Sequence, residues 1–102
     1  MANKLEDARK IINEVDSQMA ELFVKRMRAA EMVFEYKKEF GLPILDPERE
    51  AAVIEKNSAL IEDPLLKEYY KVFIKEVMAI SRAYQQSMQG KNTTELLDDL
   101  KV

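Results

Sequence analysis

Apolar residues recur along the first forty positions in alternating steps of three and four: Leu5, Ala8, Ile12, Val15, Met19, Leu22, then Arg26, then Ala29, Val33, Tyr36 and Phe40. That spacing predicts one long amphipathic helix over about 4–40, with a guanidinium interrupting its apolar seam. Gly41 follows the last seam residue and Pro43 lies just beyond, which are stop signals for a helix. The linker that follows, Gly41 to Leu45, is short and apolar. Two Asp-Pro pairs then mark helix starts, with Asp46 and Asp63 as N-caps and Pro47 and Pro64 at the first helical positions. They predict a second helix over about 47–61, burying Ala51, Ile54 and Ile61. A third is predicted over about 64–89, with Phe73, Val77, Ile80 and Tyr84 on its seam and Gly90 at its end. The segment 91–102 reads as a tail, either a short helix capped by Asn92 or Thr93 or a disordered end. The expectation is therefore an all-α chain of three helices, with one helical domain over 1–90.

Length sharpens the picture. A first helix of that size extends about 55 Å, whereas a compact 100-residue domain has a radius of gyration near 13 Å. The remaining sixty-odd residues cannot cover such a rod. Dimerisation is the simplest way to bury its seam, so an intertwined helical homodimer is expected.

Composition agrees with helix throughout: two Gly and three Pro in 102 residues. The net charge is -3, with Lys and Arg interspersed among acids, so no nucleic-acid surface is indicated. No stretch is long and apolar enough to span a bilayer, and the N-terminal MANKLEDARK has no apolar signal core, so no membrane association and a cytoplasmic location are expected. The chain has no Cys and no His. Thiolate nucleophiles, disulfides and zinc-thiolate sites are thereby excluded, and the usual general base near neutral pH is missing.

The candidates for chemistry are Arg9, Arg26, Lys37, Asp46, Arg49, Glu50, Ser81 and Gln85. A cation in an apolar seam needs an anionic partner, because burying an unpaired charge costs several kcal/mol. That partner is either a protein carboxylate, with Glu31 and Glu35 at hand, or a bound anion. Lys37 lies eleven residues after Arg26, roughly 20° around the helix, so the two cations share a face. Arg9 lies about 25 Å and roughly 100° away on the same helix and cannot reach them within one chain. In an antiparallel pairing of two such helices, Arg9 of one chain approaches Arg26 of the other, and a pocket rich in cations results. It suits a small ligand with at least two negative charges. Each residue also has a plainer reading: Asp46 as a cap, Arg49 and Glu50 as solvated first-turn charges, Ser81 and Gln85 as a helix–helix hydrogen-bonding pair.

In this order and on these helices, the residues resemble the all-helical (AroQ-class) chorismate mutases. The likeness spans about Leu5 to Gln89. The first helix carries R-x(6)-D-x(9)-R-x(10)-K, here Arg9, Asp16, Arg26 and Lys37; then come D-P-E-R-E at 46–50 and S-x-x-x-Q at Ser81 and Gln85. The resemblance implies a chorismate mutase of phenylalanine and tyrosine biosynthesis that needs no metal or cofactor. It implies that Arg26 and the partner's Arg9, helped by Ser81, bind the carboxylates of chorismate. Lys37 and Gln85 would donate to the ether oxygen of the breaking bond. Arg49 would line the carboxylate region, Asp46 and Glu50 would accept from the ring hydroxyl, and Asp16 would belong to the scaffold. The implied reaction is a pericyclic rearrangement within one molecule, which requires neither nucleophile nor obligatory proton transfer, so the missing His and Cys are no obstacle to it. Two other readings remain open: an isochorismate-pyruvate lyase on the same scaffold, and a non-enzymatic helical dimerisation module in which Arg26 and Lys37 only specify register.

Overall fold

The computed structural model describes residues 3–100. Those residues form α1 (Lys4–Glu39), α2 (Pro47–Ser58), α3 (Pro64–Ser87) and a short α4 (Thr93–Asp98). The architecture is all-helical, with four helices where the periodicity predicted three and an undecided tail. The α4 helix lies in that tail, and Asn92 caps it by accepting from the backbone N–H groups of Thr94 and Glu95.

Local chemistry explains each boundary. At the start of α1, Asn3 accepts from the backbone N–H of Glu6 at 2.9 Å, and Glu6 and Asp7 complement the positive end of the helix. At its end, Gly41 adopts φ +65°, and the Leu42 N–H reaches back to the Lys37 carbonyl at 2.8 Å. That is a Schellman closure, and the left-handed residue it requires is the reason for glycine here. A Cβ at Gly41 meets nothing within 4 Å, so its cost is conformational alone. Gly41→Ala should therefore destabilise the fold by about 1 kcal/mol. Thermal melting checks this; an unchanged melting temperature would mean that the linker does not need the left-handed turn.

The Asp-Pro starts fold as the sequence predicts. Asp46 accepts from the Arg49 N–H at 3.1 Å, and Asp63 from the Leu65 and Leu66 N–H groups. The α2 helix is shorter than expected, ending at Ser58 and not near 61. Leu60 N–H bonds to Asn57 and Ile61 N–H to Ser58, both tighter three-residue turns. The cause lies downstream: Asp63 precedes Pro64 and must be extended (ψ 117°), so the chain leaves helical geometry before it arrives there. The α3 helix likewise stops at Ser87, two residues short of the expected end.

The hub is α3, which packs against each of the other three helices. The core it forms is small: Met27, Ala30 and Phe34 from α1, with Ile74, Met78 and Ala83 from α3. The buried row of α1 is thus displaced by one position from the predicted seam. The predicted burial in α2 is also corrected: Ala51 is exposed, Ile54 and Ile61 are half-buried, and the buried residue is Ser58. On α3 the row Ile74, Met78, Ser81 and Gln85 is buried, and Phe73 of the predicted stripe is exposed.

Every residue from 3 to 25 is exposed. Among them Leu5, Ile12, Val15, Met19 and Leu22, all seam residues, keep 43–61% of their surface accessible. The first half of α1 therefore projects beyond the body formed by the other helices. The radius of gyration is 16.7 Å and the longest dimension 58 Å, against about 13 Å expected for a compact chain of this length.

Candidate active site

Behind the projecting half of α1, the helices enclose an open groove with a cavity volume of about 300 Å³. One wall is a face of α1: Arg26, Ala29 and Val33 of the predicted seam, with Lys37. Because the intramolecular contact takes the row at 27, 30 and 34, the neighbouring row is left facing this space. The first turn of α2 contributes Asp46, Arg49 and Glu50, and α3 contributes Ser81 and Gln85. Of the eight residues singled out in the sequence, seven line the groove; Arg9 does not, since it lies on the exposed half of α1.

Arg26 is half-buried, and its Nη1 donates to Ser81 Oγ. That hydroxyl in turn donates to the Val77 carbonyl at 3.1 Å, which fixes its orientation. Lys37 Nζ donates to the Ile44 carbonyl at 2.7 Å, tying α1 to the apolar linker. Among the described residues no carboxylate forms an ion pair with Arg26 or Lys37. The alternative partners do not serve: Glu35 is exposed, and Glu31 is engaged elsewhere. Arg28 pairs with Glu31 at 2.7 Å and Tyr84 Oη donates to it at 3.0 Å, outside the groove. The Arg28 hydrogen bond holds the Glu31 carboxyl below its ordinary range, against partial desolvation and with help from Tyr84.

Gln85 is only 6% exposed, and its Nε2 donates to the Ala30 carbonyl of α1 at 2.9 Å. The helix–helix hydrogen bond considered in the sequence is therefore present. It uses one of the two amide N–H groups, and the other remains for a ligand in the groove. Lys37 and Arg26 are in the same position, each with donors beyond the one engaged. Asp46 serves as the α2 cap, and the Arg49 side chain is exposed at the rim.

Arg82 is a groove residue that the sequence reading missed. Its Nη1 pairs with both oxygens of Glu50, linking α3 to α2. A signal was available, since Arg82 precedes Gln85 by three positions and so shares its side of α3. With it, four cations (Arg26, Lys37, Arg49, Arg82) and two carboxylates (Asp46, Glu50) line the groove, leaving a net +2. Several fixed donors and an uncompensated double positive charge suit a small dianion. Among the described residues no cluster of acids could hold a metal ion, and no helix is long and apolar enough to cross a membrane.

Comparison with known proteins agrees with this chemistry. The family model for chorismate mutase type II matches residues 8–86. A chorismate mutase of Methanocaldococcus jannaschii is 31% identical over 97 residues, covering 90% of this chain and 98% of that protein. The T-protein of Haemophilus influenzae is 34% identical over 80 residues, covering 74% of this chain but only 21% of its own length. No solved structure matches at a significant level. The extent of the family match, together with similarity to a chorismate mutase over 90% of this chain and 98% of that protein, shows that the chain belongs to the type II chorismate mutase family.

Proposed function

We propose that the groove binds chorismate and rearranges it to prephenate in a site completed by a second copy of the chain. The observation that carries this reading is the pair of cations, Arg26 and Lys37, which face the groove and, among the described residues, bond to neutral groups and no carboxylate. Two unpaired charges held in one cleft favour a ligand that brings its own anions. Chorismate carries two carboxylates, matching the net +2 of the groove.

Arg26, oriented through Ser81, grips one carboxylate, and Arg49 lies on the same side of the ligand. Asp46 and Glu50 accept from the ring hydroxyl. The flexible enolpyruvyl arm is thereby held over the ring, which removes much of the entropic part of the barrier. As the C–O bond breaks and the new C–C bond forms, the ether oxygen gains negative charge. Lys37 and Gln85, anchored to Ile44 and Ala30, present their remaining N–H groups to that oxygen. Such donors stabilise the polarised transition state more than the ground state, and that difference raises the rate. The test is loss of chorismate absorbance on adding the protein, with prephenate identified as product. Isochorismate is assayed in parallel; release of pyruvate from it, with chorismate untouched, would assign the lyase reaction instead.

The second copy is an intertwined homodimer partner. Its support is the exposed apolar stripe of residues 5–22, too long for this chain to cover, and the position of Arg9 on that same projecting half. Each site would receive Arg9 from the opposite subunit. Mixing Arg9→Ala chains with Arg26→Ala chains should then restore about one good site per heterodimer. Heterodimers confirmed by mass but without recovered activity would rule out a shared site.

A further inference from the structure

The ion pair of Arg82 with Glu50 differs from two others, Arg28–Glu31 and Lys71–Glu68. Those two join neighbours three positions apart on one helix. Arg82 and Glu50 are 32 positions apart, join α3 to α2, and have side chains only 30% and 24% exposed at the groove wall. One nitrogen, Nη1, serves both carboxylate oxygens. A carboxylate has about four acceptor positions, so each oxygen keeps one for a ligand hydroxyl.

A bare carboxylate at that place is a liability for a site that binds a dianion. It repels the ligand, and it lowers the net charge of the lining. Without Arg82, the groove cations left for Glu50 to pair with are Arg26, Lys37 and Arg49. Those are the groups that the ligand needs. An arginine already paired with Glu50 solves both problems, because it offsets the charge and fixes the direction in which the oxygens accept.

We propose that Arg82 is a positioning residue for substrate recognition: it holds Glu50 aimed at the ring hydroxyl, and keeps Arg26, Lys37 and Arg49 free of Glu50. The proposal rests on the reading of Glu50 given above. It is tested by steady-state kinetics with chorismate and by thermal melting of Arg82→Gln, Arg82→Lys, Glu50→Gln and the double variant Arg82→Gln with Glu50→Gln. Arg82→Gln should raise KM about tenfold with a smaller change in kcat, and Arg82→Lys should recover part of that loss. In the Glu50→Gln background, Arg82→Gln should change KM by less than about threefold, since the group it positions is already gone. If Arg82→Gln does not fold, the same comparison is made with Arg82→Lys, which keeps the charge and loses the fork. Normal KM with a lowered melting temperature would show that the pair only ties α2 to α3, and would overturn the proposal. Fully additive losses in the double variant would also overturn it, because Arg82 would then act independently of Glu50. Unchanged kinetics in Glu50→Gln alone would remove the reading of Glu50 itself, and this proposal with it. An impaired Glu50→Gln beside a normal Arg82→Gln removes only the positioning role.

Discussion

Arg26→Ala should lower kcat/KM for chorismate by about 10²–10³, the range for losing one preorganised charged donor from a catalytic site. The fold should survive the change. Among the described residues Arg26 forms no ion pair, and the hydroxyl its guanidinium bonds, Ser81, keeps the Val77 carbonyl as acceptor when the guanidinium is gone. The buried row of α1 at Met27, Ala30 and Phe34 is not touched. Removing a cation from a groove shared with Lys37, Arg49 and Arg82 also relieves repulsion. Activity and stability should therefore separate: a large kinetic loss, with melting close to that of the parent. The reverse outcome, near-normal turnover with a much lower melting temperature, would make Arg26 a structural residue of the helix interface and leave the groove without its main anchor.

The fold was legible wherever a boundary depends on one residue's backbone preference. Asp46 and Asp63 cap their helices, Pro47 and Pro64 open them, and Gly41 supplies the left-handed residue that closes α1. These signals are local, so tertiary context did not overrule them. The end of α2 was misjudged because the extended conformation before Pro64 acts backwards along the chain, through three residues whose composition is still compatible with helix. The seam was displaced by one position for a different reason. On α1 the pairs Leu22 and Phe23, Ala29 and Ala30, and Val33 and Phe34 are apolar side by side, so the stripe is broad enough for two surfaces. Periodicity finds such a stripe and cannot divide it. Within the chain, α3 takes one edge, and the other edge lines the groove.

The lining of the candidate groove was legible through its anomalies. Arg26 was conspicuous in an apolar row, and Lys37 followed from helical geometry; both line the groove. Arg82 was not conspicuous, because a charged residue beside Ser81 reads as ordinary helix surface. Its meaning comes from Glu50, 32 positions earlier and on another helix, and no spacing rule within one helix links the two. Arg9 is the converse case. Helical geometry puts it beyond the reach of Arg26 within one chain, the structure leaves it exposed and outside the groove lining, and only a second subunit could bring it there.

Gln85→Glu should convert a nearly pH-independent enzyme into one that works better in acid. With no His and no Cys in the sequence, no side chain of the parent has its ordinary titration range between about pH 5 and 8, and an amide does not ionise. The parent's rate should accordingly be close to flat across that window. In the variant, the new carboxyl sits where Gln85 is now, buried and facing the Ala30 carbonyl at hydrogen-bonding distance. Ionised, it can donate to nothing: the contact with Ala30 turns repulsive, and the donor to the ether oxygen is lost. Burial and the facing carbonyl both favour the protonated form. Once protonated, the group regains a single O–H, against the two N–H groups of the amide, so recovery should be partial. Activity should thus be poor at pH 8 and rise as pH falls toward 5, with circular dichroism at both values confirming that the fold is intact. A variant equally active at pH 5 and pH 8, or a parent profile with a steep limb near pH 6–7, would remove Gln85 from the ether-oxygen role. Lys37, held on Ile44 across the groove, would then be left as the donor assigned to that oxygen.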